Sequence, residues 1–478
     1  MQKIFDNPAE IEKLAKEKYA IPQFLMMENA AKAMADFIET HLPEDSKTPA
    51  SVTIVCGKGN NGGDGYAVAR LLQTKCKVAV ICVETPATEE AKAQFEMCKR
   101  LGIEISKSIG TPDILVDCIY GTGFRGELSP EIKELIDQMN KSRALKIACD
   151  IPSGLYFNAD YTITMGCQKL ALYSDTAKAV CGKIIVADLG ISREKFEGAV
   201  VKPVETTPTS ICLVEPADIT MPYRKNRAAH KGTYGHTAVM CGEKAGAAIL
   251  SATAAMNFGS GLTSLIQTAE TNLSQFKISP SLMISDTLPK KTTVISAGSG
   301  FTQFSAAAAK QIRDWFVSQK SPAAVFDAGF VTAAEFPEFL RELNDCDGAR
   351  IVITPHLAEL GRLLENLGIS ESLDNRAEIG RRLNSLFPRT TVIMKSANTF
   401  IADGGLCFVV ADGAQSLAKG GSGDILAGFT AALLAQGYSA KDAAITAAEY
   451  HALLSQKIGE KAFNLIPEKL LENTSIFS

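Results

Sequence analysis

Strand-length apolar runs alternate with helix-length amphipathic stretches along almost the whole chain, and no other feature restricts its fold as strongly. Parallel strands cannot be joined by a tight turn, so such alternation is what a parallel sheet with crossover helices requires. In the first part, residues 51–56, 77–83, 114–119, 146–149, 161–165 and 183–186 are predicted strands. Residues 25–42, 64–73, 89–101 and 131–140 are predicted helices. Near residues 201–222 the texture changes: Pro203, Pro208, Pro216 and Pro222 interrupt a stretch without periodicity. A domain boundary is expected near residue 205, dividing the chain into 1–205 and 206–478. A second alternating region follows, with strands expected at 236–241, 262–267, 292–296, 323–327, 351–354 and 391–395. It closes on two Ala-rich helices, 423–436 and 440–458.

The sharpest local signal is Lys419-Gly420-Gly421-Ser422-Gly423-Asp424, which opens the first of those two helices. Small residues let consecutive amides converge on an anion, and a helix N-terminus adds positive potential. The amides of residues 421–423 are the expected cradle. Asp424 cannot be the bound anion there. It reads as a general base facing a phosphoryl group, set against the plainer reading of a capping carboxylate.

In the first region, Cys56-Gly57-Lys58-Gly59-Asn60-Asn61-Gly62-Gly63-Asp64-Gly65 follows a strand and opens a helix. It matches neither the G-x-G-x-x-G fingerprint nor a Walker loop, so a plain dinucleotide fold is excluded. Its Asn and Asp side chains suggest contacts to sugar or base as well as phosphate. Two more polar loops end strands: Gly121-Thr122-Gly123-Phe124-Arg125-Gly126-Glu127, preceded by Asp117, and Asp150-Ile151-Pro152-Ser153-Gly154. Loops at the C-terminal ends of parallel strands converge on one crevice, where Lys169 can meet Asp150 as an acid–base pair.

In the second region, His230-Lys231-Gly232-Thr233-Tyr234-Gly235-His236 precedes a strand, and Gly298-Ser299-Gly300 follows another. Thr354-Pro355-His356 joins a strand to a helix, and a lone His there is more often a cap than a catalyst. Lys395-Ser396-Ala397-Asn398-Thr399 offers a cation and hydroxyls suited to nucleotide phosphates. Together these pieces describe a phosphoryl-transfer crevice without a Walker loop.

In this order and spacing the motifs resemble the bifunctional NAD(P)H-hydrate repair enzymes, from about residue 24 to 454. The resemblance implies a Rossmann-like three-layer α/β/α epimerase domain, then a ribokinase-like α/β dehydratase domain. The implied substrates are NADHX and NADPHX, reduced nicotinamides hydrated at C6 beside the ring nitrogen. The epimerase would interconvert the R and S forms. The dehydratase would restore NAD(P)H from the S form, converting ADP to AMP and phosphate, with Mg2+ accompanying the nucleotide. Carried over by motif, the epimerase substrate falls on Asn60, Asn61, Gly62, Gly63, Asp64, Gly121, Thr122, Gly123, Phe124, Arg125, Gly126, Glu127 and Asp150. Catalysis falls on Asp150 and Lys169, and a monovalent cation, usually potassium, on Asn61, Asp117 and Ser153. Dehydratase substrate contacts fall on Ala247, Gly300, His356 and Asp424, with Asp424 catalytic. Nucleotide contacts fall on Lys395, Ser396, Ala397, Asn398, Thr399 and Gly423. A homo-oligomer, often a tetramer, is also implied.

The chain departs from the family pattern at Asp327-Ala328-Gly329-Phe330-Val331, where Asp-Ala-Asp-Ala-Leu is usual, and at Gly298-Ser299-Gly300-Phe301-Thr302, where Gly-Pro-Gly-Leu-Gly is commoner. The Gly-rich segment Cys241-Gly242-Glu243-Lys244-Ala245-Gly246-Ala247 is short, and Thr354-Pro355-His356-Leu357-Ala358-Glu359 lacks the usual Pro-Gly. A ribokinase-like small-molecule kinase and a first domain that binds without catalysing are the competing readings. A net charge of −4 and a pI near 5.9 argue against nucleic acid or an anionic membrane as partner. Twelve scattered cysteines without a C-x-x-C pair suit a reducing cytoplasm and argue against zinc. The most apolar region, 247–266, reads as helix, turn and strand, not as a membrane span.

Overall fold

The computed structural model describes residues 1–6, 8–43, 49–197, 210–269 and 271–477. Two compact units emerge, Lys3–Thr207 and Pro208–Ser478 with Met1–Gln2. The expected boundary near residue 205 lies outside the described residues.

The first unit holds a seven-stranded parallel sheet ordered Glu104–Ile105, Lys77–Cys82, Ser51–Cys56, Ile114–Cys118, Leu145–Cys149, Tyr161–Met165, Lys183–Ala187. Its central strands are mostly apolar because both faces are covered there. Val52, Ile54, Val116 and Ile147 enter one core with the helices Gln23–Glu39 and Asn60–Leu72. Val55, Leu115 and Ala148, one residue out of phase, enter another with Ile132 and Ile136 of helix Pro130–Lys141. That two-residue period places the sheet in the middle of three layers. The chain runs outward one way from Ser51–Cys56, then the other way from Ile114–Cys118, so a crevice opens beyond the ends of these two strands. A separate parallel pair, Gln2–Phe5 with Gln168–Lys169, sets Phe5 beside Lys169.

In the second unit the strand order is Met283–Ser285, Leu262–Ile266, His236–Met240, Val294–Ala297, Ala323–Phe326, Arg350–Ile353, Thr390–Met394, Thr399–Asp403, Leu406–Val410, Ser210–Leu213. The strands through Thr390–Met394 are parallel, as the alternation predicts. Thr399–Asp403 is antiparallel to both its neighbours, a meander the sequence reading did not anticipate. Its signal was local: Gly404 and Gly405 both take positive φ, the two-residue turn that closes hairpins. Helices Ala245–Asn257, Ser422–Ala435 and Ala440–Gly459 supply one face of the core. Helix Ser422–Ala435 is buried almost all round, which explains its lack of a polar stripe. Phe326, Phe330, Phe336 and Phe339 pack together, with ring centroids 5.5 Å apart for Phe326 and Phe339.

Candidate active sites

In the first unit the crevice is a cleft of about 670 Å³. The Asn60–Asp64 motif is not a loop, as expected, but the first turn of helix Asn60–Leu72, whose Gly59 N-cap offers no side-chain cap. A Cβ at Gly62 would lie 1.9 Å from the Gly57 carbonyl oxygen, so only glycine allows that turn to close. The uncapped amides and the Asn60 and Asn61 side chains meet the cleft. Asn61 Oδ1 and Nδ2 are buried without a protein partner, as is Asn60 Oδ1.

Asp150 sits at the end of Leu145–Cys149 with φ of 72°, a left-handed conformation that Asp tolerates better than most residues. One carboxylate oxygen accepts from the Thr122 amide at 2.8 Å and the Thr122 hydroxyl at 2.6 Å. The other is paired with the Lys169 ammonium. Burial alone would raise Asp150, but Lys169 and Thr122 hold it below the usual carboxylate range. Burial likewise opposes the charge on Lys169, yet Asp150 keeps the ammonium above its ordinary value. The pair is therefore ionised, and Asp150 is a ready proton acceptor.

Asp117 lies just beneath. Its carboxylate accepts from the Ser153 hydroxyl at 2.6 Å, the Ser153 amide at 2.8 Å and the Ile119 amide at 3.1 Å. Burial pushes it up to about 6 in spite of those donors. Gly121, Thr122, Gly123, Phe124 and Arg125 line the cleft. Gly126 and Glu127 are exposed and lie outside its wall, so the expected substrate contacts there are not brought to it. Gly62 and Gly63 are buried within the helix instead of facing the cleft.

In the second unit, the Ser422–Ala435 helix starts at Gly421, which takes φ of 93° and carries no side-chain cap. The expected cradle of three amides needs one correction: the Ser422 amide donates to the Lys419 carbonyl at 3.2 Å and is spent inside the turn. The Ser422 hydroxyl lies 3.3 Å from His451 Nε2, and burial pulls His451 down to about 4, so this histidine is neutral.

Asp424, in the first turn, is pushed up to about 6 by burial. Asp327 and Glu359 add to the rise, while Lys395 and Ser299 oppose it. Lys395 is already paired: its ammonium donates to Asp327 at 2.9 Å and lies 3.9 Å from Glu359. A Cβ at Gly423 would meet that ammonium at 3.1 Å, so the cradle begins directly over the ion pair. Ser396, Ala397 and Asn398 form the turn between Thr390–Met394 and Thr399–Asp403.

His356 is the N-cap of helix Leu357–Leu367, as the commoner reading of a lone His has it. Its Nδ1 accepts from the Ala358 and Glu359 amides, and Glu359 accepts from the His356 amide in return. Gly300 and Ala247 do come together, since a Cβ at Gly300 would lie 3.4 Å from the Ala247 methyl. The missing family carboxylate has a steric reason: a Cβ at Gly329 would sit 2.2 Å from the Phe301 carbonyl oxygen.

Four cleft or cluster residues escaped sequence reasoning. Tyr120 stacks on Phe124 at 4.4 Å along the cleft wall. Glu12, from helix Pro8–Tyr19, reaches the same cleft. Asp327 and Glu359 surround Lys395. Glu359 and Asp327 had usable signals: Glu359 stands three residues after the cap His356, and Asp327 heads the Asp327–Val331 segment.

Two α/β units, each with a lysine–carboxylate centre beside an uncapped helix N-terminus, define an enzyme with two polar, anion-accepting sites. Residues 24–171 match the family described as YjeF-related protein N-terminus, and residues 237–476 match NAD(P)H-hydrate dehydratase. Over 492 aligned residues the chain is 33% identical to the bifunctional NAD(P)H-hydrate repair enzyme Nnr of Helicobacter pylori, covering 99% of each. Its Escherichia coli K12 counterpart is 29% identical, with 83% of this chain and 79% of that protein covered. Among solved structures, an ADP/ATP-dependent NAD(P)H-hydrate dehydratase of Bacillus subtilis, co-crystallised with ATP and Mg2+, is 22% identical with a TM-score of 0.43. It covers 52% of this chain and 91% of its own.

The chain belongs to the bifunctional NAD(P)H-hydrate repair enzymes. It is an enzyme of metabolite repair with two activities: epimerisation of R- and S-NAD(P)HX, and ADP-dependent dehydration of the S form to NAD(P)H. Among the described residues no helix is long and apolar enough to cross a membrane.

Proposed function

We propose that each unit carries one of the two activities, epimerase in 1–205 and dehydratase in 206–478, with Asp150 and Asp424 as their respective bases. The observation that carries the second assignment is a carboxylate pushed up to about 6 in the first turn of an uncapped helix. A base near neutrality at a positive helix end is matched to a hydroxyl attacking a phosphoryl group. Asp424 takes the C6 hydroxyl proton as the oxygen attacks the terminal phosphorus of ADP. The bond to AMP breaks, and the amides of Gly421 and Gly423 stabilise the developing charge. Phosphate then leaves C6, pushed out by the ring-nitrogen lone pair, and loss of the C5 proton restores the dihydronicotinamide.

The nucleotide lies along Lys395, Ser396, Ala397, Asn398, Thr399 and Gly423, and the hydrate against Ala247, Gly300 and His356. Mg2+ enters with the nucleotide and would neutralise its phosphates; no side chain is assigned to it. In the first unit the hydrate lies across Asn60, Asn61, Asp64 and Gly121–Arg125. The orphaned Asn61 oxygen and the Asp117–Ser153 pair are the oxygen donors suited to a hard monovalent cation such as potassium. That ion would supply positive charge beside Asp117. A homo-oligomer, such as a tetramer, follows from the family resemblance. The free state of every cysteine agrees with a reducing cytoplasm.

The test is recovery of reduced-nicotinamide absorbance from mixed R/S NADHX with ADP, ATP or no nucleotide, in potassium and in sodium. Recovery from both epimers with ADP, faster than spontaneous exchange, is the expected result. Recovery of the S portion alone would leave the first unit a binding module, and a stable phosphorylated product would leave the second a kinase.

A further inference from the structure

We propose that Glu12 is a second catalytic residue of the epimerase cleft, the acid that exchanges a proton with the ring nitrogen while Asp150 handles the hydroxyl. The inference deepens the epimerase reading and rests on it.

Inverting C6 means breaking and remaking one of its bonds. The carbon bears both a hydroxyl and the ring nitrogen, so opening the ring is the direct route. Asp150 accepts the hydroxyl proton, the C6–N1 bond breaks, its electron pair goes to nitrogen, and nitrogen takes a proton. The product is an open-chain aldehyde. Rotation about C5–C6 presents the other carbonyl face, nitrogen attacks it, and both protons return. Nothing is oxidised, reduced or consumed. The scheme needs two proton carriers, one of them protonated at the start. In the Asp150–Lys169 ion pair the ammonium is turned onto Asp150 and held above its ordinary value, so it parts with its proton reluctantly and the pair serves chiefly as the acceptor.

Glu12 projects from helix Pro8–Tyr19 into the cleft that Asp150, Asp64 and Asn60 also line. Glu12, Asp64 and Asp150 all lie in the field of Lys169, with Asp6, Lys58 and Arg125 also on the cleft wall, and carboxylates gathered in one cleft favour retention of at least one proton. Their environments sort them. Lys169 and Thr122 hold Asp150 down, whereas burial raises Glu12, with Asp150 adding to the rise and Lys169 and Gln23 opposing it. Asp64 is deeper, and burial raises it well above the usual carboxylate range. Glu12, half-buried on the wall, is placed to give a proton and take it back.

The experiment uses the full chain without nucleotide, following exchange of R-NADHX into S-NADHX by chromatography. Dehydration of S-NADHX with ADP serves as the internal control for folding. If the parent protein does not exchange epimers faster than buffer, the epimerase reading itself fails, before Glu12 is in question. If it does, Glu12→Gln lowers kcat for exchange about 10²-fold with KM changed little, the usual scale for a lost general acid. Glu12→Asp retains much of the rate, and formate added to Glu12→Ala restores part of it. A Glu12→Gln protein exchanging at the parent rate would overturn the proposal, as would one altered only in KM. Should Glu12→Gln misfold, the formate dependence of Glu12→Ala decides: rescue supports the role and no rescue overturns it.

Discussion

Both sites pair a lysine with a buried aspartate, Lys169 buried and Lys395 half-buried, yet they leave the working carboxylate in opposite states. In the first unit Lys169 is bonded to Asp150 itself and holds it ionised. In the second, Lys395 is committed to Asp327, and Asp424 stands one step away, pushed up to about 6. The same residue types thus give an acceptor held in its ionised form in one place and a base poised near neutrality in the other. What differs is which carboxylate the cation touches. A hydroxyl attacking phosphorus is best served by a base that titrates near the working pH.

The largest expected effect tests whether the two sites are separable. Asp424→Asn should lower the dehydration rate about 10³-fold with epimer exchange unchanged, and Asp150→Asn should lower exchange about 10²-fold with S-NADHX dehydration unchanged. Parallel loss of both activities in either variant would break the comparison.

Acidification should separate the sites without mutation. Asp424 works as a base only when ionised, so the dehydratase kcat should fall as pH drops through about 6. Asp150 is held below the ordinary carboxylate range, so exchange should persist to lower pH. Matching acidic limbs in the two pH profiles would contradict this.

Lys395→Met leaves Asp327 buried without its cation and should cost about 3 kcal/mol of stability in denaturant melts. It should also move the acidic limb of dehydration to higher pH, since Lys395 holds Asp424 down. The smallest effect is at His356. Asn caps helices as well, so His356→Asn should change stability by about 0.5 kcal/mol or less. Any larger effect should appear as a raised KM for S-NADHX, which steady-state kinetics would read.

The parallel strands of both sheets were legible because apolar runs and turn residues are local signals. The hairpin at Gly404-Gly405 had an equally local signal that was passed over. The cleft loops were legible as well, since Gly and Asn after a strand have few other reasons to cluster. Glu12 was not, because a Glu on an exposed-looking amphipathic helix carries no mark of the cleft it will enter. Nor was the Asp327–Lys395 pair, whose members lie 68 residues apart.

By itself the sequence determined the alternation, the two Gly-rich helix starts and the identity of Asp150, Lys169 and Asp424 as candidate chemistry. Those features act through the backbone within a few residues. Only the tertiary structure decided that Lys395 is already paired, that the Ser422 amide is used up, that Gly329 has no room for a side chain, and that Asp424 titrates near 6. Each depends on burial and on charges brought from distant strands, and a carboxylate's basicity is set by those surroundings more than by its neighbours in the chain.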